Sequence, residues 1–302
     1  MLARKGAEVL RCTKAATHFL MPPSIRRAAV AGTWYPGSPA SLAAALDRHV
    51  AAAIEHPEIE DLVALIAPHA GLMYSGPVAA HAYRLLRGRQ IELAVLVGPS
   101  HFVAFEGVAI FDGDGFETPL GMVPIDRACA KALQSASPLI RADVGRAHGR
   151  EHSLEMQLPF LRHLAPGARI VPLLMGSQTA DTVRELGDVL GRVLHGRRAL
   201  LIASSDLSHY HDAATAARLD EVVIDHLSRF DAEGLQQALD ARPDHACGGG
   251  PMVSVMRAAR QLGARDALVL NYADSGDISG DKSSVVGYVA AALGNFGHGV
   301  KE

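Results

Sequence analysis

The 302-residue sequence has few cysteines, no excess of basic residues and no long apolar run. Its three cysteines are far apart and odd in number, which excludes a disulfide framework and favours a reducing, cytoplasmic compartment. The formal net charge of −3 argues against a nucleic-acid binder, because neutralising phosphates requires a basic face. No apolar run reaches the roughly 18–20 residues that span a bilayer, so we expect no membrane segment.

The N-terminal segment differs from the rest of the chain. It is basic through Arg4, Lys5, Arg11 and Lys14 but lacks the apolar core of a secretory signal. We therefore interpret residues 1–20 as a disordered extension or as the product of an upstream start codon. Residues 22–297 contain neither a linker nor an internal repeat, and this predicts a single domain.

Short apolar runs alternate with amphipathic segments along this domain. Runs bounded by glycine or proline are typical of buried parallel strands, and they lie at 62–67, 93–97, 107–111, 170–174, 199–203, 268–272 and 285–290. Helical patterns lie at 39–54, 77–86, 126–135, 150–161, 182–194, 251–262 and, as two helices, in 212–241. The alternation predicts an α/β protein, a three-layer α/β/α sandwich with a central, largely parallel sheet.

Polar clusters follow directly on several of these runs. His69 ends a strand in Pro-His-Ala-Gly, and His101 ends the next in Gly-Pro-Ser-His. Ligands gather at the carboxyl ends of parallel strands, and we expect these two strands to be neighbours. Their imidazoles would then lie within reach of one ion, which could be Fe, Cu, Zn or Ni.

Cys247 precedes a run of three glycines and the start of a predicted helix. Free N–H groups and the helix dipole would stabilise its thiolate, the form that binds metals or attacks carbon. A small buried residue beside a glycine turn is the structural alternative. We interpret Cys129, within an apolar helical stripe, as a core residue.

Asp206 and His209 share one segment after the strand at 199–203. A histidine oriented by a carboxylate is a usual general acid/base arrangement, although His211 and Asp212 could take these roles. His152 and Glu155 lie at i,i+3 on a predicted helix, and we interpret them as supporting or surface residues rather than ligands.

Together these segments resemble the Memo family, known in bacteria as the B protein of the AmmeMemoRadiSam system. The resemblance extends over residues 30–290, with the motifs in family order. The matching stretches are Ala29–Pro36, Pro68–Gly71, Tyr74–Pro77, Gly98–His101, Glu151–Glu155, Ser204–His209, Ala246–Gly248 and Ser275–Asp277.

The resemblance implies a fold similar to that of class III extradiol dioxygenases. It also implies that His69, His101 and Cys247 are metal ligands, and that His209, with Asp206 beside it, is the acid/base residue. Those dioxygenases bind Fe(II) through two histidines and a carboxylate, and here Cys247 stands in place of the carboxylate. The resemblance implies Fe(II) first, with copper as the rival and zinc after both. A thiolate is softer than a carboxylate and favours Cu(I) or Zn more than a carboxylate does.

Three functions remain open. The first is a metal-dependent, dioxygenase-like oxidoreductase acting on a small molecule or peptide, with radical-SAM and AMMECR1-like proteins as suggested partners. The second is a non-catalytic adaptor that binds a peptide in the same cleft. The third is a cysteine hydrolase in which Cys247 attacks, His209 is the base and Asp206 orients it.

Overall fold

The computed structural model describes residues 24–56, 59–143 and 147–297. The predicted extension at residues 1–20 lies outside the described residues, as do the first two residues of the predicted domain at 22–297. None of the helices in these three ranges has the length and apolar character that crossing a bilayer requires.

Nine α-helices occur in the described ranges. They are α1 (Pro39–Ala52), α2 (Leu72–Arg84), α3 (Arg127–Ala136), α4 (Leu158–Leu164), α5 (Ala180–Leu194), α6 (Ala213–Ser228), α7 (Ala232–Ala241), α8 (Gly249–Gln261) and α9 (Gly276–Ser279). Side chains cap several of the N-termini: Ser38 caps α1, Thr179 caps α5 and Asp212 caps α6, each accepting a backbone N–H of the first turn.

Twelve strands occur in the same ranges, in two sheets. They are β1 (Ile25–Arg26), β2 (Ile59–Ala67), β3 (Leu93–Pro99), β4 (Val108–Ile110), β5 (Gly115–Phe116), β6 (Val123–Pro124), β7 (Ile140–Ala142), β8 (Arg169–Met175), β9 (Leu200–Ser204), β10 (His209–His211), β11 (Asp266–Asp274) and β12 (Val285–Phe296). The large sheet has the order β10-β12-β2-β9-β3-β8-β4-β7, with β11 also pairing with β12, and the small sheet has the order β1-β5-β6.

Parallel pairing is concentrated in the middle of the large sheet. The four central strands, β2, β9, β3 and β8, are all parallel. On either side β12 and β4 join them in antiparallel register, so the sheet is mixed at its edges. The strands β2 and β3 were expected to be neighbours, and this was wrong, because β9 is inserted between them.

Alternate side chains of the central strands enter two different cores. Leu65 and Leu96 pack on one face with α1, α2 and α4, whereas Ile66 and Val95 pack on the other with α3 and α5 to α8. This period of two, continued through fully buried strands, is the pattern of a sheet covered on both faces. The predicted three-layer α/β/α sandwich is therefore confirmed.

The segment predicted as a helix at 150–161 is mostly irregular. A 3-10 turn covers Glu155–Gln157, and α4 begins only at Leu158. The side chain of Glu151 accepts the backbone N–H groups of His152 and Ser153, which competes with helical hydrogen bonding. The expected i,i+3 helical face of His152 and Glu155 was therefore wrong.

Candidate metal centre

Three sequence-predicted residues converge at the carboxyl edge of the parallel strands. His69 follows β2, His101 follows β3, and Cys247 lies just before α8, which packs against β9 and β3. One ligand atom from each of the three lies within 4.8 Å of the other two. The distance between His69 Nε2 and Cys247 Sγ is 3.3 Å, and the two imidazole centroids are 5.2 Å apart.

Residues at the end of β9, the strand between β2 and β3, hold His69 in place. Its backbone N–H donates to Asp206 Oδ1 over 2.7 Å, and its Nδ1 lies 2.9 Å from Ser204 Oγ. Only 2% of the residue is exposed. Burial, reinforced by the neighbouring His101, lowers the pKa of His69 to about 3, so the imidazole is neutral at physiological pH.

His101 is fixed by a carboxylate that sequence reasoning missed. Glu151 Oε1 lies 2.9 Å from His101 Nδ1, and Oε2 accepts the backbone N–H of His101 over 2.6 Å. Burial would raise the pKa of Glu151, but hydrogen bonds from His101 and Ser153 outweigh it and lower the pKa to about 2. The carboxylate can only accept, so His101 Nδ1 carries the proton of this hydrogen bond, and a neutral His101 has its lone pair on Nε2.

Asp206 is a buried carboxylate beside the two potential donors His69 and Cys247. Its Oδ1 accepts backbone N–H groups from His69 and Ala70, and its Oδ2 lies 4.0 Å from His69 Nε2. Burial raises its pKa despite these hydrogen bonds. Asp206 reaches His69 because β9 lies between β2 and β3, and the residues that follow β9 therefore lie next to His69.

His209 has a different hydrogen-bond partner from the one expected. Its Nδ1 lies 2.7 Å from the carbonyl oxygen of Leu207, which can only accept, so Nδ1 carries the proton and a neutral His209 has its lone pair on Nε2. The electrostatic influence of His209 lowers the pKa of both His69 and Asp206, so the three groups are close enough to interact. The next residue, Tyr210, has a φ of 64° and is 78% exposed.

Cys247 is held by backbone contacts at the end of β9. The backbone N–H of Cys247 donates to the carbonyl oxygen of Asp206, and Gln178 Nε2 donates to the carbonyl oxygen of Cys247. Burial and the charge of Asp206 raise the pKa of the thiol, so without a cation it is neutral, despite the nearby start of α8. Its partner is His69, not the His209 expected for a cysteine hydrolase.

An aromatic rim borders the three candidate ligands. His152 stacks on His101 with centroids 4.6 Å apart, and Trp34 lies 4.4 Å from His152. Trp34 and Phe102 are 38% and 44% exposed, and the guanidinium of Arg150 lies over the Phe102 ring. Of these rim residues the sequence pointed only to His152, as a supporting or surface residue, because only the tertiary structure brings the aromatic side chains together.

The donor set fits a divalent transition-metal ion. Ligand bonds of about 2.0–2.3 Å place neighbouring donors roughly 3–3.6 Å apart, and the 3.3 Å between His69 Nε2 and Cys247 Sγ lies in this range. Each histidine has its Nδ1 hydrogen-bonded in the interior, which leaves Nε2 as the nitrogen available to a metal, as in metal sites supported by such partners. The ionised Glu151 adds the negative charge that a buried cation needs.

The fold and the site define an α/β/α protein with a candidate metal centre of two histidines and a cysteine. Residues 26–292 match the family described as Memo-like protein, and the chain belongs to the Memo family. It is 34% identical over 275 residues to a MEMO1 family protein of Nitrosopumilus maritimus, which covers 88% of this chain and 98% of the relative. It is 38% identical over 277 residues to a MEMO1 family protein of Methanothermobacter thermautotrophicus, with coverages of 87% and 98%.

A solved structure shares the fold. The crystal structure of an uncharacterized protein from Escherichia coli K12 superposes with a TM-score of 0.51, at 17% sequence identity. The superposition covers 77% of this chain and 100% of the bacterial chain. At this identity the similarity concerns architecture alone.

Proposed function

We propose that this protein is a metal-dependent oxidoreductase with Fe(II) bound by His69 Nε2, His101 Nε2 and Cys247 Sγ. One observation carries the proposal: three potential ligand atoms from distant segments converge within 4.8 Å. When bound, iron supplies one-electron chemistry with dioxygen, and copper is the alternative metal because the thiolate is a soft ligand. Zinc, which has no redox chemistry, ranks after both.

The chain's own groups divide the remaining tasks. Glu151 holds His101, and the fixed carbonyl of Leu207 leaves His209 Nε2 free to accept or return a proton of a substrate. Asp206 Oδ2 lies 4.0 Å from His69 Nε2, and a cation bound there would favour the ionised form of this carboxyl group. The exposed rim of Trp34 and Phe102 offers apolar surface to a small molecule or peptide.

Metal content measured on anaerobically purified protein tests the proposal. We expect about one iron or copper ion per chain, lost in His69→Ala, His101→Ala and Cys247→Ser. His195→Ala is the matched histidine control, because His195 is exposed at the end of α5. Cys129→Ala is the matched thiol control, because Cys129 is buried in α3. A wild type that remains without metal after Fe(II) loading would refute the proposal.

A second candidate function is peptide binding without catalysis. The exposed aromatic side chains beside the site favour it, since rigid aromatic groups contribute strongly to binding interfaces. Trp34 is the only tryptophan of the chain, so its fluorescence reports directly on this rim. A saturable fluorescence change with added peptides in metal-free protein, with no turnover of those peptides after metal loading, would favour the adaptor.

Two further expectations belong to the same proposal. A radical-SAM protein and an AMMECR1-like protein are its proposed partners, to be tested by co-purification from the native host. The cytoplasm is its proposed location, in line with the three scattered cysteines.

A further inference from the structure

A buried chain of hydrogen bonds lies behind His69, on the side away from Cys247. Tyr83 and Ser204 are fully buried, and Gln157 is 1% exposed. Tyr83 Oη lies 2.8 Å from Gln157 Oε1, Gln157 Nε2 lies 2.7 Å from Ser204 Oγ, and Ser204 Oγ lies 2.9 Å from His69 Nδ1. We call Tyr83, Gln157 and Ser204 the His69 relay.

The direction of each hydrogen bond follows from groups that can only accept. Gln157 Nε2 lies 3.1 Å from the carbonyl oxygen of Pro68, so this amide end must be the NH₂ group and the other end accepts from Tyr83. Ser204 Oγ lies 2.6 Å from the carbonyl oxygen of Ser153. The single hydroxyl proton of Ser204 is therefore directed to Ser153.

Ser204 Oγ then has no proton left for His69. It can only accept, so the proton between Ser204 Oγ and His69 Nδ1 must belong to the imidazole. A neutral imidazole carries one N–H, and Nε2 is consequently left with its lone pair, directed to within 3.3 Å of Cys247 Sγ. An unconstrained histidine could adopt either tautomer, whereas the acceptor Ser204 Oγ allows only the Nδ1–H tautomer of His69.

We infer that the His69 relay fixes His69 as the Nδ1–H tautomer, so that the protein presents a prepared Nε2 donor before any ligand binds. Ser204 and Gln157 are thus positioning residues. The metal-binding consequence rests on the proposed function, whereas the tautomer itself does not. His101 reaches the same tautomer through the carboxylate of Glu151, so two chemically different partners prepare the two histidines alike.

Long-range ¹H–¹⁵N correlation spectra of metal-free, ¹⁵N-histidine-labelled protein test the inference. The resonances of His69 are assigned by their loss in His69→Ala. At pH 8 we expect a protonated Nδ1 and an unprotonated Nε2 for His69 in the wild type. A protonated Nε2 would overturn the inference, and this measurement needs no variant of the relay itself to fold.

Ser204→Ala supplies the second arm, with Ser254→Ala as the matched control. Ser254 is also fully buried, and its hydroxyl also donates to a backbone carbonyl oxygen, that of Val183, 2.9 Å away. In Ser204→Ala we expect mixed His69 tautomers and a roughly 10–100-fold loss of Zn(II) affinity, and in Ser254→Ala neither. A folded Ser204→Ala with a pure Nδ1–H tautomer and unchanged affinity would overturn the inference.

The two proposals fail separately. A wild type with the expected tautomer that binds neither Zn(II) nor Fe(II) would refute the proposed metal function and support the tautomer. A wild type that binds metal but has a protonated Nε2 when metal-free would do the reverse.

Discussion

Replacing Glu151 by glutamine changes the charge of a buried carboxylate while keeping its shape. Its Oε1 accepts His101 Nδ1–H and the backbone N–H groups of His152 and Ser153, each over 2.9 Å. Its Oε2 accepts the backbone N–H of His101 over 2.6 Å. Glutamine has only one acceptor oxygen, so its NH₂ group must face a donor and at least one buried N–H loses its partner.

The expected loss follows from these four hydrogen bonds. A buried donor without a partner costs about 1–3 kcal/mol, and each remaining bond weakens by about 1 kcal/mol when its acceptor loses its charge. With one donor left unpaired and three bonds weakened, we therefore expect Glu151→Gln to lower the free energy of unfolding of the metal-free protein by about 4–6 kcal/mol. Because His101 is no longer held by a carboxylate, we also expect a roughly 10–100-fold loss of metal affinity.

Glu155→Gln is the matched control, measured by the same urea denaturation and Zn(II) competition titrations. Glu155 is also fully buried and accepts from Arg26, Tyr35 and two backbone N–H groups, but it contacts none of the candidate ligands. We expect Glu155→Gln to lower the free energy of unfolding about as much as Glu151→Gln does and to leave the Zn(II) affinity unchanged. Equal loss of affinity in both variants, or wild-type affinity in Glu151→Gln, would refute the reasoning.

Three further predictions concern the packing around the site and the interior. Gly248→Ala should lower both the melting temperature and the Zn(II) affinity, because its Cβ would lie 2.4 Å from the backbone carbonyl oxygen of Ser204. Gly167→Ala is the control, because the space around its Cβ is open, and equal melting temperatures of the two variants would contradict the predicted clash. Tyr35→Phe should lower the free energy of unfolding by about 1–3 kcal/mol in urea denaturation without changing metal affinity, because it removes the 2.6 Å hydrogen bond to the carboxylate of Glu155. Burial raises the pKa of Asp220 above 3.8, so its contribution to stability is complete below that pH and is lost as pH rises through the folded pKa. Asp220→Asn should therefore gain stability relative to wild type in thermal melts as the pH rises above about 4, and a constant difference would contradict this.

Local patterns predicted most of the secondary structure, and they failed where side chains compete with the backbone. The predicted strand at 93–97 and helix at 182–194 agree closely with β3 and α5, because continuous apolar runs and capped amphipathic periods are local signals. The predicted helix at 150–161 was mostly wrong because the side chain of Glu151 accepts the backbone N–H groups of His152 and Ser153. The burial of Glu151 depends on partners far away in the sequence, which no local pattern contains.

The order of the strands was another limit of the sequence. His69 and His101 were expected on adjacent strands, yet β9 lies between β2 and β3 and brings Ser204 and Asp206 under His69. Strand order depends on which apolar faces pack together over long separations, so consecutive strands need not be neighbours. The two histidines nevertheless lie close together, as expected, because β2, β9 and β3 are parallel and end at the same edge of the sheet.

The sequence by itself determined the layered α/β architecture and the residues at the strand ends, because periodicity and turn residues act locally. Only the tertiary structure decided which atoms of those residues face one another. It hydrogen-bonds His69 Nδ1 to Ser204 and His101 Nδ1 to Glu151, and it places His69 Nε2 3.3 Å from Cys247 Sγ. Such partnerships join residues 50 to 178 positions apart, and their physical cause is the need of every buried polar group for a hydrogen-bond partner.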